Sequence, residues 1–142
     1  MTSIDFYFNA PDRLQVACRL AGKALAQGKR TLLFAPDPEL AQRLDRLLWT
    51  WPATGFVPHC AADDPLAAET PVLIAAEPEA TPSCEILLNL GAECPPLFER
   101  YERLLEVVTS EEQDRLNARA RFAWYRDRGY EIRNHDLAKI AS

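Results

Sequence analysis

Glycine is scarce in this chain, with five in 142 residues. Those five, Gly22, Gly28, Gly55, Gly91 and Gly129, stand alone as turn and cap residues. No GxGxxG and no GxxxxGK[ST] is present, so no backbone loop is written to approach a phosphate closely. The strained GxSxG turn that exposes a serine nucleophile is also absent. Histidine occurs only twice. His135 falls in a polar terminal stretch, and His59 adjoins an apolar run where an imidazole usually plays a structural part. The four cysteines, Cys18, Cys60, Cys84 and Cys94, form no CxxC pair and have no histidine at a zinc-ligand spacing, so they are expected to be reduced, small apolar side chains. No metal and no cofactor is expected. Carboxylates are scattered over caps and loops, and no acid/base pair stands out. The N-terminus lacks a basic segment followed by a long apolar one, and no run reaches membrane-spanning length. The expected location is the cytoplasm.

What is present reads as a single α/β domain over residues 1–142, with 48% apolar residues, enough for a core. Ile4, Phe6 and Phe8 alternate with Asp5, Tyr7 and Asn9, the period of a half-buried strand. Asp12 caps a helix with core positions Val16, Ala17, Leu20, Ala21, Ala24 and Leu25, ending at Gly28. Residues 31–35 form a short apolar strand covered on both faces. Asp37, Pro38 and Glu39 open a second helix, which faces its core with Leu40, Ala41, Leu44, Leu47 and Leu48 and stops at Trp51 and Pro52. Residues 56–59, 72–75, 85–90 and 104–108 read as further strands, the first an edge strand because of Pro58. A short helix is expected around residues 97–101. Strand, helix, strand in sequence predicts an open, largely parallel sheet with helices on both faces, a nucleotide-binding-like topology without its phosphate-binding loop. A small α/β nucleotide-binding or hydrolase-like enzyme with a crevice ligand is the alternative function that this fold class leaves open.

The last helix carries the most information. Thr109 or Ser110 can cap it, with Glu112 or Gln113 completing a capping box, and Gly129 ends it. At roughly 100° per residue, Leu116, Ala120 and Ala123, flanked by Trp124, are expected to face the core. Arg115, Arg119, Phe122 and Arg126 share an arc of roughly 60° elsewhere. Guanidiniums framing an aromatic ring suit a peptide that is both acidic and apolar. Residues 115–133 hold six arginines against two acids, a local +4 in a chain of net charge −5, which leaves −9 elsewhere. Such a surface is a poor match for nucleic acid, so DNA is expected to be contacted only indirectly. A second cluster, Trp49, Trp51, Phe56, Val57 and Pro58, holds more bulky apolar surface than one small sheet edge usually hides, as partner interfaces do.

Five segments in the same order, residues 5–7 (DFY), 28–30 (GKR), 44–49 (LDRLLW), 56–59 (FVPH) and 118–126 (ARARFAWYR), resemble the chi subunit family of bacterial DNA polymerase III holoenzyme. The resemblance runs essentially the whole length. It implies a non-catalytic accessory subunit of the clamp-loader complex of this DNA-directed DNA polymerase, active in DNA replication. It also implies two partners: the psi subunit of the clamp loader, or an equivalent, and the acidic, phenylalanine-ended C-terminal tail of single-stranded-DNA-binding protein. Carried over by position, the tail site falls on Val108, Arg115, Arg119 and Phe122, to which the helical arc adds Arg126. Phe122 replaces a tyrosine of the better-known members. The psi surface falls on Trp49, Phe56, Val57 and Pro58, a patch that a repair helicase could share. From Glu131 onward the resemblance is poor and nothing is carried over.

Overall fold

The apolar runs at 31–35, 72–75, 85–90 and 104–108 become strands covered on both sides. In a computed structural model that describes residues 1–50, 57–77 and 84–140, the strands are β1 (Ser3–Ala10), β2 (Thr31–Phe34), β3 (His59–Ala61), β4 (Val72–Ala75), β5 (Ile86–Asn89), β6 (Arg103–Thr109) and β7 (Ile132–Asp136). They form one sheet in the order β3-β4-β2-β5-β6-β1-β7, with every pair parallel. The helices are α1 (Arg13–Ala26), α2 (Pro38–Thr50), α3 (Glu112–Asp127) and the short α4 (Leu137–Ile140). Single 3-10 turns at Ala67–Glu69 and Phe98–Arg100 occupy the longer connections. No described helix is long and apolar enough to cross a membrane.

Two apolar layers sandwich the sheet. On one face α1 and α2 pack Leu14, Ala17, Ala21, Leu44 and Leu48 against Leu33, Val72, Leu88 and Leu105. On the other, α3 packs Ala118 and Tyr125 against Ile4, Phe6, Leu87 and Leu104, with Phe98 and Tyr101 filling the margin. Local signals set the helix ends as expected: the Asp12 carboxylate accepts from the backbone of Leu14 and Gln15, and Asp37 accepts from Glu39. Gly28 and Gly129 take the left-handed conformation, at φ +73° and +83°.

The structure corrects four expectations. Strand β1 is interior, not half-exposed: its alternate residue Asp5 is 1% accessible, because β6 and β7 flank it on both sides. Strand β3 is indeed at the edge but begins at His59, one residue beyond Pro58, whose missing N–H suits that position. The polar stretch after Tyr130 is a strand, β7, whose alternation the charged sequence IRNHD conceals. Its polar residues are tied into β1: His135 stacks on Tyr7 with ring centroids 4.5 Å apart, and Asn9 Nδ2 donates to Asp136 at 2.9 Å.

The fourth correction concerns α3. The residues it buries are Asp114, Ala118, Arg121 and Tyr125, while Leu116 is 48% exposed and Ala120 is exposed. The helix is thus turned by nearly half a revolution from its expected orientation. A polar network causes this. Glu106 on β6 is fully buried and accepts from Arg121 Nε at 3.1 Å, Tyr125 Oη at 2.7 Å and Asn89 Nδ2 at 3.1 Å. Arg121 also donates to the Ala92 carbonyl at 2.8 Å. A buried carboxylate so surrounded is satisfied, whereas unpaired it would cost several kcal/mol. Burial pushes the Glu106 carboxyl above its ordinary value, while Arg121, Tyr125 and Asn89 pull it down. Burial and Glu106 together push the Tyr125 hydroxyl up, which keeps it a donor.

Candidate functional site

The carboxyl ends of β1, β6 and β7 meet the first turns of α3, and there the surface opens into a cleft of about 300 Å³. Phe6, Phe8, Val108 and Ala118 form its apolar floor and walls, and Phe122 closes one side. Phe122 is half-buried and leans on Phe6, with ring centroids 5.4 Å apart and planes inclined at 59°. Asn9, Thr109 and Asn134 give the opposite rim polar character. Arg115 and Arg119 border the cleft, both exposed, and neither has an acidic partner among the described residues.

The first turn of α3 is fixed from inside. Glu111 is the N-cap and makes no side-chain cap bond; instead the Asp114 carboxylate reaches back to accept from the Thr109 backbone N–H at 2.8 Å and from its hydroxyl at 2.9 Å. This replaces the capping box expected from Thr109 or Ser110 with Glu112 or Gln113. Asp114 also pairs with Arg13 at the start of α1, tying the two helix starts together. Burial alone would raise the Asp114 carboxyl, but the Thr109 N–H and Arg13 outweigh it and hold it below the ordinary carboxylate value. Asp114 thus anchors the turn of α3 from which Arg115 and Arg119 reach the cleft.

Four of the five residues expected to form the tail site, Val108, Arg115, Arg119 and Phe122, border this one cleft. Arg126 does not: it lies one turn further along and engages Asp127 at 3.3 Å. Other arginines of the basic stretch are also committed, Arg121 to Glu106, Arg133 to Asp5, and Arg128 over the Trp124 ring at 3.7 Å. Sequence reasoning missed Phe6, Phe8, Asn9 and Asn134. The two phenylalanines were visible as an alternating pair, but which helix they would meet was not. Asn9 takes φ +60° at a break in the β1–β6 register, a feature no local motif announces.

Of the second expected surface, Trp49 is 60% exposed and sets its ring edge-on to His59 at 5.0 Å. Val57 is 2% exposed and belongs to the core, so its side chain offers no surface, and Pro58 is half-buried. Phe56 lies outside the described residues. His59 is buried, its Nδ1 2.8 Å from the Val57 carbonyl and its Nε2 3.2 Å from Asp45, as a structural imidazole should be. The four cysteines are free, and burial pushes the Cys18 thiol to about 12 and that of Cys84 to about 11, so neither ionises near neutrality.

An open, all-parallel α/β sheet whose strand ends carry an apolar cleft bordered by two arginines, with no phosphate loop in the sequence, defines a nucleotide-binding-like α/β fold without the phosphate-binding loop. Residues 1–133 match the family model described as DNA polymerase III chi subunit, HolC, and the chain belongs to that family. It is 36% identical to DNA polymerase III subunit chi of Pseudomonas aeruginosa, over 99% of this chain and all of that one. The chi subunit of Escherichia coli K12 is 30% identical over 83% of this chain and 81% of its own length. Among solved structures, the C-terminal domain of the DEAD-box protein Dbp5 aligns with a TM-score of 0.60 at 13% identity, covering 97% of this chain and 91% of that one. Yeast Dbp5 in a complex with partner proteins aligns at 0.65 and 12% identity, covering 95% of this chain and 42% of that one. At such identity the likeness to Dbp5 shows the fold alone.

Proposed function

We propose that this chi-family chain is a non-catalytic accessory subunit that links the clamp loader of DNA polymerase III to single-stranded-DNA-binding protein, and that it does so by holding that protein's acidic C-terminal tail in the Arg115–Phe122 cleft. The observation that carries the reading is the pair of exposed guanidiniums, without acidic partners among the described residues, beside an aromatic-walled apolar cleft. A phenylalanine side chain fits the floor made by Phe6, Val108 and Phe122, and carboxylates beside it meet Arg115 and Arg119. Each charge-assisted bond contributes on the order of 1.5–3 kcal/mol, and burial of a ring adds a similar amount. Ordering a disordered tail offsets part of this, leaving a dissociation constant around micromolar. Such a contact breaks and re-forms readily, and many tails on one coated strand supply avidity.

The clamp-loader side of the link, through a psi subunit or its equivalent, is assigned to the Trp49 surface together with Phe56 and Pro58. A ring 60% exposed at a helix end is a typical interface anchor. A repair helicase would compete there. In this role the protein would work in the bacterial cytoplasm as one domain and meet DNA only through its partners. Co-purification tests the second surface: Trp49→Ala should abolish recovery of the clamp-loader partner while peptide binding at the cleft is unchanged. Loss of both activities would instead mean a damaged core.

A further inference from the structure

The Phe122 cleft has two chemically unlike sides. Arg115 and Arg119 stand on the α3 side, and a guanidinium only donates. Asn9 and Thr109 stand on the strand side, where the bonds they already make decide what they have left to offer. The Thr109 hydroxyl gives its proton to the Asp114 carboxylate at 2.9 Å, so its oxygen can only accept. Asn9 is held by Asp136, whose carboxylate accepts and cannot donate, so the amide atom 2.9 Å away is Nδ2. This leaves Oδ1, the one acceptor of that side chain, with no partner among the described residues. Asn9 reaches the cleft by a local irregularity. In a regular strand it would lie on the face opposite Phe6 and Phe8. Its φ of +60°, at a break in the β1–β6 register between Tyr7 and Ala10, brings it to the same cleft as those two rings. Asparagine is among the few residues other than glycine that enter this conformation readily.

Resting on the tail-binding reading above, we infer that Asn9 reads the main chain of the bound peptide, its Oδ1 accepting the backbone N–H of the terminal aromatic residue. The argument is one of polarity across the cleft. A terminal residue whose side chain rests on Phe6, Val108 and Phe122 carries its N–H and its carboxylate on opposite flanks of the Cα. The guanidiniums of Arg115 and Arg119 attract the carboxylate flank, and Asp136, bonded to Asn9, disfavours a carboxylate on the strand side. The N–H flank then meets Asn9. An N–H that loses water in the cleft needs an acceptor there, and Asn9 supplies one. Two arginines alone select a peptide that is acidic; with Asn9 opposite them, the cleft also selects which way round its last residue lies. Asn9 is thus a positioning residue, and Asp136 acts through it by holding the amide in one orientation.

The experiment uses the full chain and two fluorescent acidic peptides ending in phenylalanine, identical except that in one the last amide bond is an ester, which replaces that single N–H by an oxygen. The wild type should bind the ester about fivefold more weakly, within the range of one hydrogen bond. Asn9→Gly keeps the left-handed backbone conformation and deletes the acceptor. This variant should bind the amide peptide about fivefold more weakly than the wild type does and no longer distinguish amide from ester. Arg119→Ala should weaken both peptides and keep the ratio between them. Melting temperatures are recorded alongside, and the wild-type comparison stands whether or not a variant folds. Equal binding of amide and ester by the wild type, or a ratio that survives in Asn9→Gly, overturns the role of Asn9 and leaves the tail reading standing. If the wild type binds neither peptide, the tail reading fails and the role of Asn9 falls with it.

Discussion

Arg119 and Arg121 stand two residues apart on α3 and have opposite surroundings. Arg119 is exposed at the cleft without an acidic partner among the described residues, and Arg121 is 4% exposed with its Nε on Glu106. Removing the first should cost ligand affinity, and removing the partner of the second should cost the fold. Glu106→Ala leaves a guanidinium buried with no counter-charge, and unfolding by urea should report a loss of about 3–5 kcal/mol. Glu106→Gln keeps an acceptor for Arg121 and should lose less. Asp5 makes a prediction about pH. Burial alone would raise its carboxyl, yet the bond to His135 and the charges of Arg103 and Arg133 hold it below the ordinary 3.8. The unfolded chain therefore takes up the proton first, so the stability Asp5 contributes is present at neutral pH and is lost as pH falls below about 4. Urea midpoints between pH 6 and 3 should fall less steeply for Asp5→Asn than for the wild type. Equal slopes would mean that Asp114, shifted in the same direction, carries the acid response.

At the scale of elements, the legible parts were those whose burial follows hydrophobicity. Helices α1 and α2, with Asp12 and Asp37 at their starts, and the runs at 31–35 and 72–75 are apolar where they are buried, so pattern and structure agree. Helix α3 was legible in its existence and in its outward-facing arc, but its core side was misread because the residues that bury include Asp114, Arg121 and Tyr125, satisfied by Arg13 and Glu106 on other elements. No helical wheel contains Glu106. Strand β7 was hidden for the same reason: Arg133 and His135 are held by Asp5, which looks like a solvent-facing residue of β1 until both neighbours are in place. The cleft inherits this pattern. Its α3 side, Arg115, Arg119 and Phe122, could be read from spacing alone, while Asn9 and Asn134 needed the three-dimensional meeting of β1 and β7. Because β7 supplies a wall of the cleft, Asp136→Ala, which removes the acceptor for Asn9, should weaken peptide binding more than it lowers the melting temperature would suggest. Anisotropy and melting of the same sample test this.

Over the whole molecule, charge and topology point to the same surface. A net charge of −5 repels acidic ligands in general, yet the exposed ridge of Arg115 and Arg119 sits where strand ends and a helix start converge, the region in which open α/β sheets bind their ligands. Membership of the chi family and a likeness of fold to a DEAD-box domain are compatible, because a fold is shared more widely than the sites built on it. The central claim is that this edge takes an acidic tail, and its most direct measurement is fluorescence anisotropy of a labelled peptide copying the C-terminal tail of single-stranded-DNA-binding protein, titrated with wild type and Arg119→Ala at low and high salt. The account predicts binding near micromolar for the wild type, weakened by salt, and a loss of at least about tenfold, 1.4 kcal/mol, in the variant. Equal binding by wild type and variant at low salt, or none by the wild type, would contradict it.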